Sequence, residues 1–382
     1  MKVGLILFYF SALMAQTHLS VPQSVWRIRV INDMFNGNWK GPDGEDGING
    51  MQSLWNNQIW KINEMRSRSG NKTTTQIDYG LSDKMNISIS VPYISRFEEK
   101  MTISVSPSDT AGLSPDSIIS RFHPSSRSNS GVGDVSLGLQ VNLVGIPTWS
   151  GKGAVSVYGG VSVTLPTAER LGPYEPGSVD TSGIPMQFYE LPIGHGLTEY
   201  TLSLGGEFYR KILGRMSTLR WNMHYAAFSQ EQVNSSLSFV GFDESNPDSL
   251  ATMIGSKHLY RRGNTFSGNF SGRFEVLKEM IIVEAGMDWK FTGRDFFKSN
   301  SSTWDSWMEY RQVKGSLIHS TRRTRIRQFV TVRYQNVNPI KKIGPIPFEL
   351  EVGLIFPMPL LVRNEFNTTA LWVGITSYTQ MW

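Results

Sequence analysis

The chain has 382 residues, of which 40% are hydrophobic and 12% aromatic, with a formal net charge of +5 and no cysteine. The absence of cysteine excludes disulfides, thiolate metal sites and cysteine nucleophiles. A mean hydropathy of −0.23 with 18% charged residues excludes a polytopic helical membrane protein and a disordered chain. The length fits either two or three soluble domains or one large β-barrel.

The first residues have the pattern of a secretory signal peptide. Met1 and Lys2 form a short basic start, and an apolar run follows as far as Ala15. This run is about 13 residues long, whereas a membrane-spanning helix needs about 20, which disfavours the alternative of a single membrane anchor. We expect residues 1–15 to be a signal peptide and residues 16–382 to form one exported domain.

A first strand is predicted at residues 25–32, followed by a long first loop at residues 33–72. We expect this loop either to cap the rim of the domain or to fold into its mouth as a plug. Its acidic stretch from Asp43 to Gly50 has calcium-like spacing, but it lacks the bidentate glutamate of an EF-hand loop. A solvated turn is therefore the favoured interpretation of this stretch.

From about residue 73 onward, apolar and polar residues alternate with a period of two, which is typical of β-strands. In residues 280–293, for example, Glu284, Asp288 and Lys290 share one face, and apolar side chains occupy the other. Comparable runs lie at residues 135–143, 199–208, 219–225, 266–276 and 348–354. A single run of this kind fits a soluble sandwich as well as a membrane barrel.

The connections between the runs favour the barrel. Short turns are predicted at 81–84, 145–152, 212–215, 278–279 and 337–346. Long polar loops are predicted at 33–72, 96–133, 167–197, 230–264, 294–320 and 357–368. Strict alternation of short turns and long loops is typical of outer-membrane barrels, with the loops outside the cell. We predict an all-β fold, a transmembrane antiparallel β-barrel of about 12 strands in the outer membrane of a Gram-negative bacterium, with both termini in the periplasm.

Four stretches between residues 73 and 210 carry a family resemblance. They are Asp78-Tyr79-Gly80-Leu81-Ser82-Asp83-Lys84 with the strand that follows, Gly131-Val132-Gly133-Asp134, Leu165-Pro166-Thr167 at a strand end, and Leu191-Pro192-Ile193-Gly194-His195-Gly196. Together they resemble the outer-membrane family named for the meta-pathway of phenol degradation, a set of β-barrel transporters. The resemblance implies movement of small molecules, hydrophobic ones among them, across the outer membrane.

The densest basic cluster consists of Arg322, Arg323, Arg325 and Arg327. On the predicted topology it starts at the extracellular rim and runs down one strand. Arg322 and Arg323 are candidates for contact with lipopolysaccharide phosphates, and the strand as a whole is a candidate for an anion-selective lumen. The favoured alternative is ion pairing with acidic residues of the two neighbouring strands, which are Glu349, Glu351, Asp288 and Glu284.

The inward-facing charged residues are the candidates for solute selectivity. They are Arg220, Arg273, Glu284, Asp288, Lys290, Arg325, Arg327, Arg333, Glu349 and Glu351. The predicted function is a channel or transporter for the passive passage of a small solute or hydrophobic compound through a charged, narrow lumen. The alternative from another class is a structural or adhesive barrel with a closed lumen.

A catalytic interpretation is less favoured. Leu317-Ile318-His319-Ser320 is similar to the Ser–His arrangement of outer-membrane phospholipases, but no supporting Asn or oxyanion arrangement accompanies it. The six histidines are scattered and form no metal-binding pair. We therefore predict neither enzymatic activity nor a cofactor or metal.

The predicted partners follow from the predicted location. They are outer-membrane lipid and lipopolysaccharide, a small-molecule solute, and the barrel-assembly machinery through a C-terminal strand that ends at Trp382. No nucleic-acid partner is expected, since the net charge is small and dispersed along the chain.

Overall fold

A computed structural model describes residues 20–41, 43–55, 58–106, 125–147, 154–175, 177–181, 183, 185–235, 254–278, 280–303, 305, 321–336, 347–358 and 361–380. The predicted signal peptide at residues 1–15, His319 and Trp382 lie outside these ranges.

Seventeen strands lie in the described part of the chain. In chain order they are β1 (Val25–Lys40), β2 (Ile48–Trp55), β3 (Gln58–Ser82), β4 (Met85–Ser106), β5 (Ser126–Val132), β6 (Val135–Gly145), β7 (Val155–Leu165), β8 (Glu199–Ile212), β9 (Arg215–Phe228), β10 (Glu231–Asn234), β11 (Lys257–Arg261), β12 (Thr265–Leu277), β13 (Ile281–Thr292), β14 (Phe296–Lys298), β15 (Arg323–Asn336), β16 (Phe348–Pro357) and β17 (Glu365–Gln380).

Twelve of these strands form a closed antiparallel barrel. The order around the wall is β1-β17-β16-β15-β13-β12-β9-β8-β7-β6-β4-β3, and the pairing of β3 with β1 completes the ring. The first and last strands of the chain pair with each other, with Val25 opposite Gln380. Closure leaves no unpaired sheet edge for lipid to penalise. The predicted fold and strand number are therefore confirmed.

The other five strands lie beyond the common wall. β2 pairs with the far end of β3, and β5 pairs with the upper part of β4. β10, β11 and β14 form a separate three-stranded sheet, built from the β9–β12 and β13–β15 connections. A short 3₁₀ helix spans Met186–Tyr189. Among the described residues, no helix combines the length and the apolar character needed to cross a membrane.

The apolar face of each barrel strand lies on the outside. Along β8, Tyr200, Leu202 and Leu204 expose 57%, 61% and 44% of their surface. Between them, Thr201 and Ser203 point into the barrel, and Glu207 further along is buried. A soluble sandwich would bury the apolar face, so this arrangement excludes it and indicates a barrel surrounded by lipid.

The two rims of the barrel differ in the length of their connections. One rim carries Val25, Gln380 and tight connections such as Ser82 to Met85 and Ile212 to Arg215. In the latter, Leu213 and Gly214 both have positive φ, as a two-residue hairpin that matches strand twist requires. The opposite rim carries the long connections and the small sheet. By the usual topology of such barrels, the first rim is periplasmic and the second extracellular.

The wall is tallest on one side, where the strands extend well beyond their predicted ends. The predicted long first loop at 33–72 is mostly strand, because β1 reaches Lys40 and β2 and β3 fill most of the remainder. β3 has 25 residues and β4 has 22, whereas β16 has 10. Above the bilayer a strand needs no apolar outer face, so alternation of hydrophobicity does not reveal it. Whether this segment caps or plugs the mouth stays a prediction.

Candidate functional site in the barrel lumen

The periplasmic half of the lumen is crossed by buried ion pairs that centre on Arg333 of β15. Its guanidinium nitrogens lie 2.9 Å from a Glu351 oxygen, 3.6 Å from Glu349 and 3.7 Å from Glu284. Glu351 also accepts a 2.7 Å hydrogen bond from Arg29 of β1. Strand pairing explains this network, because Arg333 is directly opposite Glu351 across the β15–β16 ladder.

The network extends around the wall. Glu284 lies 3.1 Å from Arg273 Nε and accepts a 2.7 Å hydrogen bond from the Ser271 hydroxyl. Two further pairs at the same end of the barrel join Arg220 to Glu207 and Arg27 to Asp78. We call the ten residues the ion-pair belt: Arg27, Arg29, Arg220, Arg273, Arg333, Asp78, Glu207, Glu284, Glu349 and Glu351. The belt is charge-balanced, and each member exposes 8% of its surface or less.

An apolar layer lies above the belt, on the side of the lumen formed by β15, β16, β17 and β1. It consists of Ile31, Phe329, Ile355, Ala370 and Trp372. All five are inward-facing and buried. The layer therefore separates the belt from the extracellular half of the lumen on this side.

Cationic side chains dominate the extracellular half of the lumen. Arg327 donates two hydrogen bonds of 3.0 Å to the Asp288 carboxylate, one from Nε and one from Nη2. Arg325 lies 3.7 Å from the same carboxylate. Arg323 pairs with Asp295 at 2.7 Å. Lys290 is opposite Arg325 in the β13–β15 ladder and is partly exposed. We call Lys290, Arg323, Arg325, Arg327 and Arg262 the cationic cluster.

Arg262 joins this cluster from the connection between β11 and β12. Its guanidinium contacts the His195 ring and lies 5.5 Å from the centre of the Phe228 ring. The positive charge of Arg262, together with burial, holds the pKa of His195 well below its usual range. The ring is therefore neutral at physiological pH and adds no further charge to the cluster.

The opposite side of the mouth carries a second arginine group. Glu99 of β4 pairs with Arg68 at 2.5 Å and with Arg127 at 2.6 Å. Arg127 also donates to the Glu190 carbonyl at 3.0 Å, which ties β5 to the β7–β8 connection. Arg68 lies 4.1 Å from the centre of the Phe366 ring. These contacts fix the tall wall against the loops above it.

The structure places all ten predicted selectivity residues on the inner face of the barrel. Arg220, Arg273, Glu284, Arg333, Glu349 and Glu351 belong to the belt, whereas Asp288, Lys290, Arg325 and Arg327 lie in the extracellular half. Of the ion pairs expected for the basic cluster of β15, those of Arg325 and Arg327 with Asp288 are present. The other three predicted acidic partners, Glu284, Glu349 and Glu351, contact Arg333 further along the strand instead. Their role in selectivity stays a prediction.

The two lipopolysaccharide candidates differ in their surroundings. Arg322 is exposed at the extracellular rim, and its carbonyl accepts a hydrogen bond from Asn364. Arg323 is turned toward Asp295 and exposes 22% of its side chain. The position of Arg322 fits a contact with lipid headgroups better than that of Arg323.

The other sequence motifs form no site in the described part of the chain. In the acidic loop, Asp43 accepts a hydrogen bond from the Glu45 amide, and Asp46 lies 3.3 Å from Lys40. These are the contacts of a solvated turn. No group of three or more metal-ligating side chains occurs in the searched, described residues. The His319 and Ser320 pair falls outside the described ranges.

Sequence reasoning missed several lumen residues. Arg27 and Arg29 alternate with Trp26 and Ile28 in β1, so the period that identified the other strands also signalled their inward orientation. Glu207 lies on the polar face of the alternating run at residues 199–208, but alternation does not identify Arg220 as its partner. Arg262 and His195 carry no such signal, because they lie in connections between strands that only the folded chain brings together.

Comparison with known proteins supports the fold. No protein-family model matches the sequence, and no curated protein sequence matches it either. The structure is similar to an outer membrane channel of Pseudomonas putida F1, with 12% identity, a TM-score of 0.50, and coverage of 96% of this chain and 99% of that chain. It shows weaker similarity to the translocator domain of the autotransporter NalP of Neisseria meningitidis, with 8% identity, a TM-score of 0.39, and coverage of 95% and 89%. At these identities the likeness shows the fold alone, which is that of an outer-membrane β-barrel.

Proposed function

We propose that the chain is an outer-membrane channel for the passive passage of a small solute through a narrow, charged lumen. The observation that carries the proposal is the inversion of polarity across the wall: apolar side chains face outward and charged ones face inward in strand after strand. A charged interior enclosed by lipid is typical of barrels that hold a polar pathway.

We take the ion-pair belt as the narrowest part of the proposed pathway. Arg220, Arg333 and Glu284 each expose only 1% of their surface, whereas Arg323 and Arg325 expose 22% of their side chains. Water therefore reaches the extracellular half, and the belt is closely packed. A solute that crosses the belt must displace side chains there, so we expect a small conductance.

Two similarities support a channel over other uses of the fold. The neighbour from Pseudomonas putida F1 is itself a channel. The resemblance to the family named for the meta-pathway of phenol degradation, carried by stretches such as Tyr79-Gly80 and Gly133-Asp134, implies movement of small molecules, hydrophobic ones among them. We therefore adopt the passage of a small solute through the lumen, without catalysis, as the function. Lipid is the partner that surrounds the barrel.

The second candidate function is a structural or adhesive barrel with a closed lumen. The burial of the belt favours it, because ten charged residues that exclude water from one level of the lumen also obstruct diffusion. In this case the long extracellular connections would make the functional contacts.

Single-channel recording in planar bilayers discriminates the two functions. The wild type is compared with the double variant Arg220→Ala/Glu207→Ala, which removes one buried pair without changing net charge. The matched control is Lys298→Ala/Glu175→Ala, a neutral double change at exposed positions outside the barrel wall. A channel limited by the belt predicts a low but measurable wild-type conductance that increases at least about twofold in the belt variant only.

The results separate the two candidates. If the wild type is silent and stays silent when the belt pair is removed, the closed barrel is the correct function. If the control changes conductance as much as the belt variant does, the belt is not the narrowest part.

A further inference from the structure

We propose that the extracellular half of the lumen holds a binding site for an oxyanion, formed by Lys290, Arg262 and Arg325. The expected ligand is a small solute that carries a carboxylate or a phosphate group. The proposal adds a class of ligand to the proposed channel function. It rests on that function only in assuming that solutes enter the lumen.

The protein provides few ion pairs and hydrogen bonds for these three cations. Lys290 makes no ion pair or hydrogen bond within the described residues. Arg262 is 94% buried, contacts His195 and the Phe228 ring, and has a buried Nε with no hydrogen-bond partner. Arg325 also has a buried Nε without a partner, and its carboxylate contact is the 3.7 Å approach to Asp288.

The acidic residues nearby are mostly occupied. Asp288 is engaged by Arg327 through two guanidinium nitrogens. Asp295 accepts hydrogen bonds from Arg323 at 2.7 Å, the Tyr260 hydroxyl at 3.1 Å and the Gly263 amide at 2.9 Å.

Two further carboxylates, Glu365 and Glu199, lie close enough to Lys290 to act on it electrostatically, and neither has a described ion pair with a cation of the cluster. The three cations of the proposed site therefore have two carboxylates nearby with which they form no described ion pair. A positive excess remains at this level of the lumen.

A bound anion would lower the electrostatic cost of this excess. A guanidinium removed from water without a counterion is strongly destabilising. His195 cannot relieve the excess, since it is neutral or, when protonated, positive. An oxyanion can accept hydrogen bonds from the free Nε groups and from the Lys290 ammonium together, and such charge-assisted bonds are short and strong. The geometry thus suits a carboxylate or phosphate and disfavours a cation.

The site is accessible from the extracellular mouth. Lys290 is partly exposed, and Arg325 exposes 22% of its side chain. The buried belt lies beneath the site on the periplasmic side. An anion would therefore bind at the end of the accessible part of the lumen, before the narrowest level.

Thermal unfolding tests the site without requiring conduction. The purified full chain is held in micelles free of lipopolysaccharide, and the temperature at which it loses its folded gel mobility is measured at constant ionic strength. Sodium chloride is replaced stepwise by sodium phosphate or by sodium acetate. We expect saturable stabilisation of the wild type, because a ligand that binds only the folded state raises the transition temperature.

Matched variants locate the binding. Lys290→Gln and Arg262→Gln should each weaken the apparent affinity about tenfold, the size expected for losing one hydrogen bond to a charged group. Arg262→Lys should recover part of it. The controls are Arg261→Gln, the exposed neighbour of Arg262, and Lys298→Gln, an exposed lysine of β14. They should bind as the wild type does. Because Lys290 is partly exposed, its variant should fold even if Arg262→Gln does not.

Each result bears on the proposal. Stabilisation by phosphate alone supports a site for phosphoryl groups, and stabilisation by both anions supports a site for carboxylates as well. Equal stabilisation of Lys290→Gln and Arg261→Gln, or no anion-specific stabilisation of the wild type, would overturn it. A silent barrel that still binds anions would refute transport but not the site, whereas a conducting barrel that binds none would refute the site alone.

Discussion

The two halves of the lumen contain similar residues in opposite arrangements. The belt in the periplasmic half has five arginines, five carboxylates and almost no exposed surface. In the extracellular half, Arg323 and Arg325 of the cationic cluster are partly exposed, and Lys290 and Arg262 form no described ion pair with a carboxylate. Strand register explains the difference, since Arg333 faces Glu351 across one ladder, whereas Lys290 faces Arg325 across another. The belt joins strands of the wall through paired charges, whereas the cluster contains cations without a described ion pair.

The largest expected effect comes from breaking one pair of the belt. Glu207→Ala leaves the Arg220 guanidinium buried without its partner, so we expect a loss of about 3–5 kcal/mol in the free energy of unfolding. The double variant Arg220→Ala/Glu207→Ala should lose less than the sum of the two single variants, because it leaves no uncompensated charge. Urea unfolding in micelles measures all three, with exposed Glu175→Ala as the control. Additive losses would show that the pair is not coupled.

A smaller effect is expected in the three-stranded sheet of β10, β11 and β14. His258 of β11 is buried, its ring lies 6.0 Å from the Phe297 ring, and burial lowers its pKa to about 4. In the unfolded state the His258 imidazole takes up a proton near pH 6.5, whereas in the folded state it does so only near pH 4. The contribution of neutral His258 to stability is therefore complete above pH 6.5 and is lost as the pH falls toward 4.

Between pH 7 and pH 5 this loss should amount to about 2 kcal/mol of local opening free energy. Hydrogen exchange of residues 257–261, corrected for the intrinsic pH dependence of exchange, measures it. His258→Phe retains an aromatic ring beside Phe297 and should remove most of the dependence. The pH dependence that His195 adds is the same in the wild type and in His258→Phe. An undiminished pH dependence in the variant would assign the effect to another group.

The third effect concerns the apolar layer between the two halves. A Cβ on Gly353 of β16 would overlap the Trp372 indole, so Gly353→Ala should lower the free energy of unfolding by about 1–3 kcal/mol. Gly272 of β12 is the matched control, because a Cβ there would meet only Leu219 at 3.9 Å. Urea unfolding compares the two, and equal stability of the two variants would contradict close packing in this layer.

The sequence predicts the fold far better than the site. Alternation along β8 or β13 shows which side chains face inward, and the lengths of the connections show how the strands are joined. Alternation does not show where β3 and β4 end, because their upper parts have no lipid to face. It also cannot show that Arg262 and His195 contact each other, since this contact depends on how two connections fold over the mouth.

The smallest expected effect is on ion selectivity. Replacing Arg325 and Arg327 by Ser removes two positive charges from the extracellular half and releases Asp288, which both arginines contact. The lumen should then shift toward cations by about twofold in permeability ratio, because the charge of Arg325 is partly exposed and screened and that of Arg327 is paired with Asp288. The reversal potential under a salt gradient measures this shift.

The matched control for this change is Arg261→Ser/Arg294→Ser, which removes two exposed arginines near the same rim. If selectivity depends on charge inside the lumen, only the Arg325/Arg327 variant changes the reversal potential. If it depends on the net charge of the extracellular rim, both variants change it equally, and the cationic cluster has no special role. An unchanged reversal potential in the Arg325/Arg327 variant would show that ions pass without sensing β15, and the contrast between the two halves would then be one of stability alone.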